Sequence, residues 1–218
     1  LSIRRQRQMC IRDRVVFAPY FVEYANWASN YHAETVVVPP NEENGFEPDP
    51  EALKKALDPK VKVVIINNPN NPTGAIYSRE TLEKIAEVLK EAEKEFGHPI
   101  YLITDEPYRE LVYVDKEIVF IPDLYDNTII AYSWSKSLSI PGDRLGYLAV
   151  SPKSDKVEEF MAAATVANRI SGDTNAPSII QLAVERCLDA QVDIPYYKKN
   201  AEDLYKIVTE AGFTAVVP

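Results

Sequence analysis

The stretch Lys62-Val63-Val64-Ile65-Ile66 decides the fold class of this chain. It is a continuous apolar run rich in β-branched residues, which is typical of a strand buried on both faces of a parallel sheet. Residues 78–97 follow with apolar side chains at steps of three and four, which predicts an amphipathic helix that Ser78 caps and Gly97 ends. The next run, Ile100-Tyr101-Leu102-Ile103-Thr104, predicts a second buried strand, so the three segments form a strand–helix–strand unit.

The same alternation extends along the chain in both directions. Short apolar runs predict further strands at residues 15–18, 34–38, 128–132 and 145–150, with intervening helices at 20–31 and 49–57. Beyond residue 150, apolar stripes predict three more helices, the last at 194–211. Strands that alternate with helices predict an α/β fold with a mostly parallel central sheet and helices on both faces. In such sheets ligands bind beyond the carboxyl ends of the strands.

Composition narrows the possible functions. The chain has 218 residues, of which 46% are hydrophobic and 26% charged, as in ordinary globular proteins. Its net charge of −9 disfavours a nucleic-acid partner, and its apolar runs are too short to span a membrane. The two cysteines, Cys10 and Cys187, are too few for a disulfide framework or a metal cluster, so we predict no metal site. Nothing in the sequence resembles a secretory signal, so we expect a cytoplasmic protein.

The first 14 residues differ from the rest of the chain. They contain five arginines and one acidic residue. An arm for targeting or for anion binding would have such a composition. The stretch also resembles translated sequencing-adapter sequence, which is the interpretation we favour. We therefore predict that residues 1–14 are non-native, and we leave them out of the fold argument.

Polar residues follow the predicted strands at the points where a ligand would bind. The turn Asn67-Asn68-Pro69-Asn70-Asn71-Pro72-Thr73-Gly74 is rigid, and an Asn in it either donates an N–H into a cleft or simply completes the turn. Asp105 directly follows the 100–104 strand. A carboxylate there is poorly solvated and needs a cationic or N–H partner, unless it caps a helix. Tyr108 either places a phenol near the same spot or packs in the core.

Lys136 follows the 128–132 strand, in a turn rich in serine, glycine and proline. A lysine there is not on a solvated helix face and needs a reason to be there, and forming a Schiff base with a carbonyl compound is one such reason. Ser133, Ser135 and Arg144 flank it, and hydroxyls with a guanidinium form a good anion site, although a surface ion pair is the alternative for Arg144. The sequence has none of the glycine-rich loops of dinucleotide and P-loop sites.

Together these segments make the chain resemble the class I/II aminotransferases, which are fold-type I pyridoxal-phosphate-dependent enzymes. The resemblance covers essentially all of residues 15–218. It rests on three segments whose order and spacing match the family pattern: Asn70-Asn71-Pro72-Thr73-Gly74, Thr104-Asp105-Glu106-Pro107-Tyr108, and Ser133-x-Ser135-Lys136 with Gly142-x-Arg144-x-Gly146.

The resemblance implies pyridoxal 5'-phosphate as the cofactor and a role for each matching residue. It implies that Lys136 forms the Schiff base and moves the substrate Cα proton, while Asp105 pairs with the protonated ring nitrogen. With Tyr108 they are the implied catalytic residues. The implied cofactor contacts also include Tyr108 and Asn71 at the phenolic oxygen, Ser133 and Arg144 at the phosphate, and Phe21, beside Tyr20, on the ring face. A cis peptide bond at Asn71-Pro72 is implied as well.

For the whole protein, the resemblance implies an aminotransferase that moves an amino group between an amino acid and a 2-oxo acid and forms a homodimer when full length. It divides the chain into a cofactor-binding large domain (15–193), incomplete at its N-terminus, and an interdomain helix with the start of a small C-terminal domain (194–218). The family's substrate-binding arginine lies outside this stretch, so we expect the fragment alone to be inactive. The alternatives are β-lyase or decarboxylase chemistry on the same scaffold, and an effector domain of a transcription regulator.

Overall fold

The computed structural model describes residues 13–172 and 174–215. Most of the segment predicted to be non-native, residues 1–12, therefore lies outside the described residues. The helices and strands below are those of residues 13–172 and 174–215.

A six-stranded sheet forms the centre of the fold, in the order β2-β1-β3-β4-β5-β6. The first five strands run parallel, and β6 runs antiparallel to β5. The strands are β1 (Asp13–Phe17), β2 (Glu34–Val38), β3 (Val61–Asn67), β4 (Tyr101–Asp105), β5 (Thr128–Ser133) and β6 (Gly146–Val150). Each lies within one or two residues of a predicted strand.

Helices connect the strands and make up most of the chain after β6. They are α1 (Glu23–Ser29), α2 (Pro50–Ala56), α3 (Arg79–Phe96), α4 (Trp134–Ser137), α5 (Val157–Ser171), α6 (Ser178–Glu185) and α7 (Ile194–Glu210). Short 3-10 turns cover Glu42–Asn44, Ile121–Asp123 and Pro141–Asp143. In the described part of the chain, no helix is both long and apolar enough to cross a membrane.

Side-chain caps fix the ends of the predicted helices where the sequence indicated them. The Ser78 hydroxyl accepts a hydrogen bond from the Thr81 amide at the start of α3, and Gly97, with a φ of 71°, ends that helix in the left-handed region that favours glycine. Asp49 caps α2 by accepting from the Glu51 and Ala52 amides. These caps satisfy amide groups that a helix cannot pair internally.

Apolar side chains pack on both faces of the sheet. On one face, α2 and α3 pack against β1, β3 and β4, and their Leu53, Ile85 and Leu89 are 0% exposed. On the other face, Tyr24 of α1 packs in a smaller cluster with Val16 and Ile65. The predicted α/β fold, a mostly parallel central sheet with helices on both faces, is confirmed.

Two stretches differ from their predicted structure. Helix α1 begins at Glu23 instead of residue 20, because the preceding residues form a turn in which the Phe21 carbonyl accepts from the Tyr24 amide at 3.1 Å. Lys136 lies on the four-residue helix α4 instead of in a turn.

Arg14, on β1, belongs to the segment predicted to be non-native. Its Nε and Nη2 atoms are buried without a hydrogen-bond partner among the described residues. Burial lowers the pKa of this guanidinium, because an apolar setting disfavours the charged form. Such a group costs stability. The non-native origin of residues 1–14 and the domain division at residue 193 both stay predictions.

Candidate active site

The ends of β3, β4 and β5 meet at one edge of the sheet. The parallel register pairs Asn67 of β3 with Asp105 of β4, and Asp105 with Ala131 of β5. The segments that follow these strands therefore start side by side. They are the segments that carry the predicted site residues, and they start at one edge of the sheet, as the strand-end rule predicts.

The turn after β3 is held by the Asn67 side chain. Its Oδ1 accepts from the Asn71 amide at 2.6 Å, and its Nδ2 donates to the Asp105 carbonyl at 2.8 Å. The Gly74 amide closes the turn by donating to the Asn70 carbonyl at 2.8 Å. The Asn71-Pro72 peptide bond is cis, as the resemblance implied, and so is Asn68-Pro69. Asn67 thus ties the turn of Asn71 to the end of β4.

Asn71 and Tyr108 lie together, as predicted. The Asn71 Nδ2 donates to the Tyr108 hydroxyl at 3.1 Å. Burial is the main reason why the pKa of Tyr108 is raised, although the bond from Asn71 acts in the opposite direction. Two polar groups from different strand ends therefore converge on one point, where both can hydrogen-bond an oxygen of a ligand.

Asp105 ends β4 with its side chain on the α1 face of the sheet. The Tyr24 hydroxyl donates a short hydrogen bond to Asp105 Oδ2. Burial raises the pKa of Asp105, and the Tyr24 bond partly offsets that rise by stabilising the carboxylate. The sequence indicates that this carboxylate needs a partner, but it does not identify Tyr24 as that partner. The signal available was a tyrosine one helical turn after Phe21, on a helix expected to face the sheet.

Phe21 lies next to Tyr24, the residue that donates to Asp105. Its ring stands edge-on to the Tyr24 ring, with 5.7 Å between the centroids. Phe21 is 37% exposed. Its neighbour Tyr20 instead packs against the cluster of Val16, Tyr24 and Ile65. Of the two rings, Phe21 is thus the more exposed one.

Lys136 approaches the same group from β5. Ser133 caps α4 by accepting from the Ser135 amide at 3.1 Å, and this short helix presents Lys136 to the solvent-open side of the edge. The Lys136 Nζ lies 5.9 Å from the centroid of the Tyr108 ring. The lysine, the phenol and the Asn71 amide therefore converge, although they are up to 65 residues apart in sequence.

Ser133 and Arg144 lie near each other through the β5–β6 pairing. Ser133 pairs with Gly146, and the Ser133 hydroxyl donates to the Leu145 carbonyl at 3.3 Å. A Cβ added to Gly146 would lie 2.4 Å from the Tyr132 carbonyl oxygen, so only glycine fits there. Arg144 is exposed and donates to the Pro141 carbonyl at 2.8 Å. The structure gives no direct contact between Ser133 and Arg144 within the described residues.

Two further networks brace the site, and the sequence analysis singled out neither. Buried Glu106 accepts from the Thr104 hydroxyl at 2.9 Å and from Arg109 at 3.0 Å. The Tyr132 hydroxyl donates to Glu110 at 3.0 Å and is 2.9 Å from the Ser137 hydroxyl. Tyr132 thus links the segment after Asp105 to the helix of Lys136. The partners of Glu106 are only two and three residues away, whereas Tyr132 and Glu110 are 22 residues apart, so local patterns could not reveal that second contact.

The fold is that of the aminotransferases, as comparison with known proteins shows. The chain belongs to the aminotransferase class I and II family, whose model matches residues 9–216. An aspartate aminotransferase from Pyrococcus horikoshii is 33% identical over 91% of this chain and 49% of that protein. An aspartate/prephenate aminotransferase from Thermus thermophilus is 32% identical over 94% of this chain and 52% of that protein.

Solved structures give the same result. The crystal structure of an aminotransferase from Eubacterium rectale matches with a TM-score of 0.90 and 40% identity, over 96% of this chain and 52% of that one. Aspartate aminotransferase from Thermus thermophilus with maleate matches with a TM-score of 0.79 and 29% identity. The chain spans about half the length of the relatives it matches.

Proposed function

We propose that the protein is a pyridoxal-phosphate-dependent aminotransferase that moves an amino group between an amino acid and a 2-oxo acid. The observation that carries the proposal is the convergence of Lys136 Nζ, the Tyr108 phenol and the Asn71 amide at the edge where Asp105 also ends. The aminotransferase names of relatives at about a third identity support it. Amino acids and 2-oxo acids are the proposed substrates. Aspartate is the first amino-group donor to test, because the names of both relatives include aspartate.

The residues present fit pyridoxal phosphate. The cofactor offers an aldehyde, a phenolic oxygen, a basic ring nitrogen and a phosphate. The half-buried Asp105 carboxylate suits a protonated nitrogen, because a carboxylate out of water needs a cationic or donor partner. The Asn71 amide and the Tyr108 hydroxyl suit the phenolic oxygen. The exposed ring of Phe21, held at Tyr24, suits the flat face of the cofactor.

Each residue then has a chemical task. When bound, pyridoxal phosphate supplies an electron sink for negative charge at the substrate Cα. Lys136 would hold the cofactor aldehyde through its Nζ and would carry the proton to and from the substrate Cα. Asp105 would hold a proton on the ring nitrogen, which maintains the electron demand of the ring. Asn71 and Tyr108 would orient the ring by donating to its phenolic oxygen.

Ser133 and Arg144 are the proposed phosphate ligands. A hydroxyl and a guanidinium both donate hydrogen bonds, and the planar guanidinium matches phosphate with two parallel bonds. Arg144, whose guanidinium donates to the Pro141 carbonyl in this structure, would hold the phosphate. For the full-length protein, a homodimer stays the prediction. For residues 15–218 alone, little or no turnover is expected.

Borohydride reduction tests the proposal. The full-length protein is loaded with pyridoxal phosphate, reduced, digested and mapped by mass spectrometry. The label is expected on Lys136, and Lys136→Ala is expected to lose both the label and oxo-acid-dependent amino transfer. Lys153 lies just beyond the end of β6 that is opposite to Gly146. Lys153→Ala is the control, and it is expected to keep both the label and the amino transfer. A label on another lysine, or release of ammonia in place of amino transfer, would overturn the proposal.

A further inference from the structure

We propose that Tyr24 is a positioning residue of this site: its hydroxyl holds the Asp105 carboxylate in one orientation and in its charged form, ready for the protonated ring nitrogen of the cofactor. The inference rests on the proposed function. Neither the motifs of the sequence nor the family match assigns a role to Tyr24, which lies 81 residues before Asp105.

Packing fixes the Tyr24 ring. Tyr24 is 4% exposed, within the cluster that also buries Val16 and Ile65. Its ring lies 5.7 Å from the Phe21 ring and 5.9 Å from the Trp27 ring, centroid to centroid. A hydroxyl on a ring so confined has little freedom, so its hydrogen bond to Asp105 Oδ2 sets the rotamer of the carboxylate.

The main chain of Asp105 is fixed from the other side. Its carbonyl accepts from the Asn67 side chain at 2.8 Å and from the Asn68 amide at 3.2 Å. Backbone and side chain are therefore anchored by different elements, β3 and α1. Tyr24 donates to Oδ2, which leaves Oδ1 for the cofactor nitrogen. Without Tyr24, the carboxylate would keep its place in the strand but lose its fixed direction.

A phenol suits this task better than a group that titrates near neutral pH. Burial and the nearby Asp105 charge raise the pKa of Tyr24 far above its usual value, so the phenol stays a neutral donor at every working pH. The other titratable groups around the pair are Tyr108 and Tyr77, both tyrosines, and Glu106, whose own pKa is raised mainly by burial. The hydrogen bond from Tyr24 is thus the interaction that lowers the Asp105 pKa against the effect of burial.

The direction of the effect follows. A hydrogen bond to the charged form lowers the pKa of an acid, so its removal raises that pKa. In Tyr24→Phe the Asp105 carboxylate is expected to take up a proton at a higher pH than in the unsubstituted protein. Cofactor binding that needs the charged carboxylate then weakens first at the acidic end of the pH range.

The test uses the full-length protein and a matched control. Tyr24→Phe removes the hydroxyl at the site, and Tyr125→Phe removes a buried hydroxyl that donates to the Ile100 carbonyl at 2.6 Å, away from the site. Asp105 is titrated by carbon-13 NMR of labelled aspartate in cofactor-free protein, and Asp105→Asn assigns its signal. Tyr24→Phe is expected to raise the Asp105 pKa by about one unit or more, since hydrogen bonds to charged groups are strong. Tyr125→Phe is expected to leave it unchanged.

Cofactor affinity gives the second measurement. For Tyr24→Phe, the dissociation constant is expected to rise by about tenfold near pH 6 and by less at pH 8, whereas Tyr125→Phe shows no such pH dependence. Equal Asp105 pKa values in Tyr24→Phe and the unsubstituted protein would overturn the inference. That outcome differs from a failure of the proposed function, in which the unsubstituted protein itself carries no label on Lys136 after borohydride reduction.

Discussion

The sheet with α1 to α3 and the helices α5 to α7 differ sharply in how they pack. Both apolar clusters of the described structure are built from residues 15–125. In α5 to α7, by contrast, large apolar side chains lie open to solvent: Met161, Val166, Ile170, Ile179, Leu182, Leu204 and Ile207 are 46–77% exposed. The first region therefore supplies the packed core on which the candidate site stands.

Paired truncations test this difference and should have the largest effect. Ile85→Ala, at a side chain that is 0% exposed, is expected to lower the free energy of unfolding by about 2–5 kcal/mol. Leu182→Ala, at a side chain that is 62% exposed, is expected to change it by less than about 0.5 kcal/mol. Urea unfolding followed by far-ultraviolet circular dichroism measures both. Equal losses would mean that α6 is part of the same packed unit as α3.

Two glycines near Lys136 sharpen the comparison at the border between the regions. Gly146→Ala puts a Cβ 2.4 Å from the Tyr132 carbonyl, so it should strain the β5–β6 pairing by about 1–3 kcal/mol and displace Ser133. Gly142→Ala is the control, because a Cβ there meets no atom within 4 Å. Thermal unfolding and cofactor affinity are measured for both. A Gly146→Ala protein with unchanged affinity would show that Ser133 does not depend on this close approach.

The smallest predicted effect is on the way the free energy of unfolding depends on pH. Burial raises the pKa of Glu106, so the folded protein binds this proton more tightly than the unfolded chain does. The stability due to this group is full below the ordinary glutamate pKa and is lost as the pH rises through the raised value. Glu106→Gln should remove this loss of stability, which begins as the pH rises above the ordinary glutamate pKa.

Exposed Glu87 on the outer side of α3 provides the control for that measurement. Glu87→Gln is expected to keep the pH dependence of the unsubstituted protein, as measured by urea unfolding at a series of pH values. If Glu106→Gln shows the same slope as Glu87→Gln, the partners Thr104 and Arg109 compensate fully for the burial of Glu106.

Local signals predicted most of the fold. Continuous apolar runs such as 62–66 predicted strands, because only a doubly covered strand tolerates them. Ser78, Gly97 and Asp49 marked helix ends because caps act on amides within a few residues. The strand-end rule brought Asn71, Asp105 and Lys136 to one edge without any knowledge of the contacts between them.

What the sequence did not reveal depends on contacts between distant segments. The partner of Asp105 lies on α1, and nothing near Asp105 in the sequence points to Tyr24. The link from Glu110 through Tyr132 to Ser137 likewise joins three segments. The four-residue helix at Lys136 is too short to produce a periodic pattern, so its sequence suggested only a turn.

Hydrogen exchange at the Asn71 amide can report when the ends of β3 and β4 separate, because the Asn67 side chain binds that amide. The Asn71 amide hydrogen points at Asn67 Oδ1, with 2.6 Å between the heavy atoms, and the same side chain holds the Asp105 carbonyl. Solvent deuterium can replace that hydrogen only when the Asn67 bond breaks. The exchange rate at one backbone position therefore records how often the turn of Asn71 and the end of β4 separate.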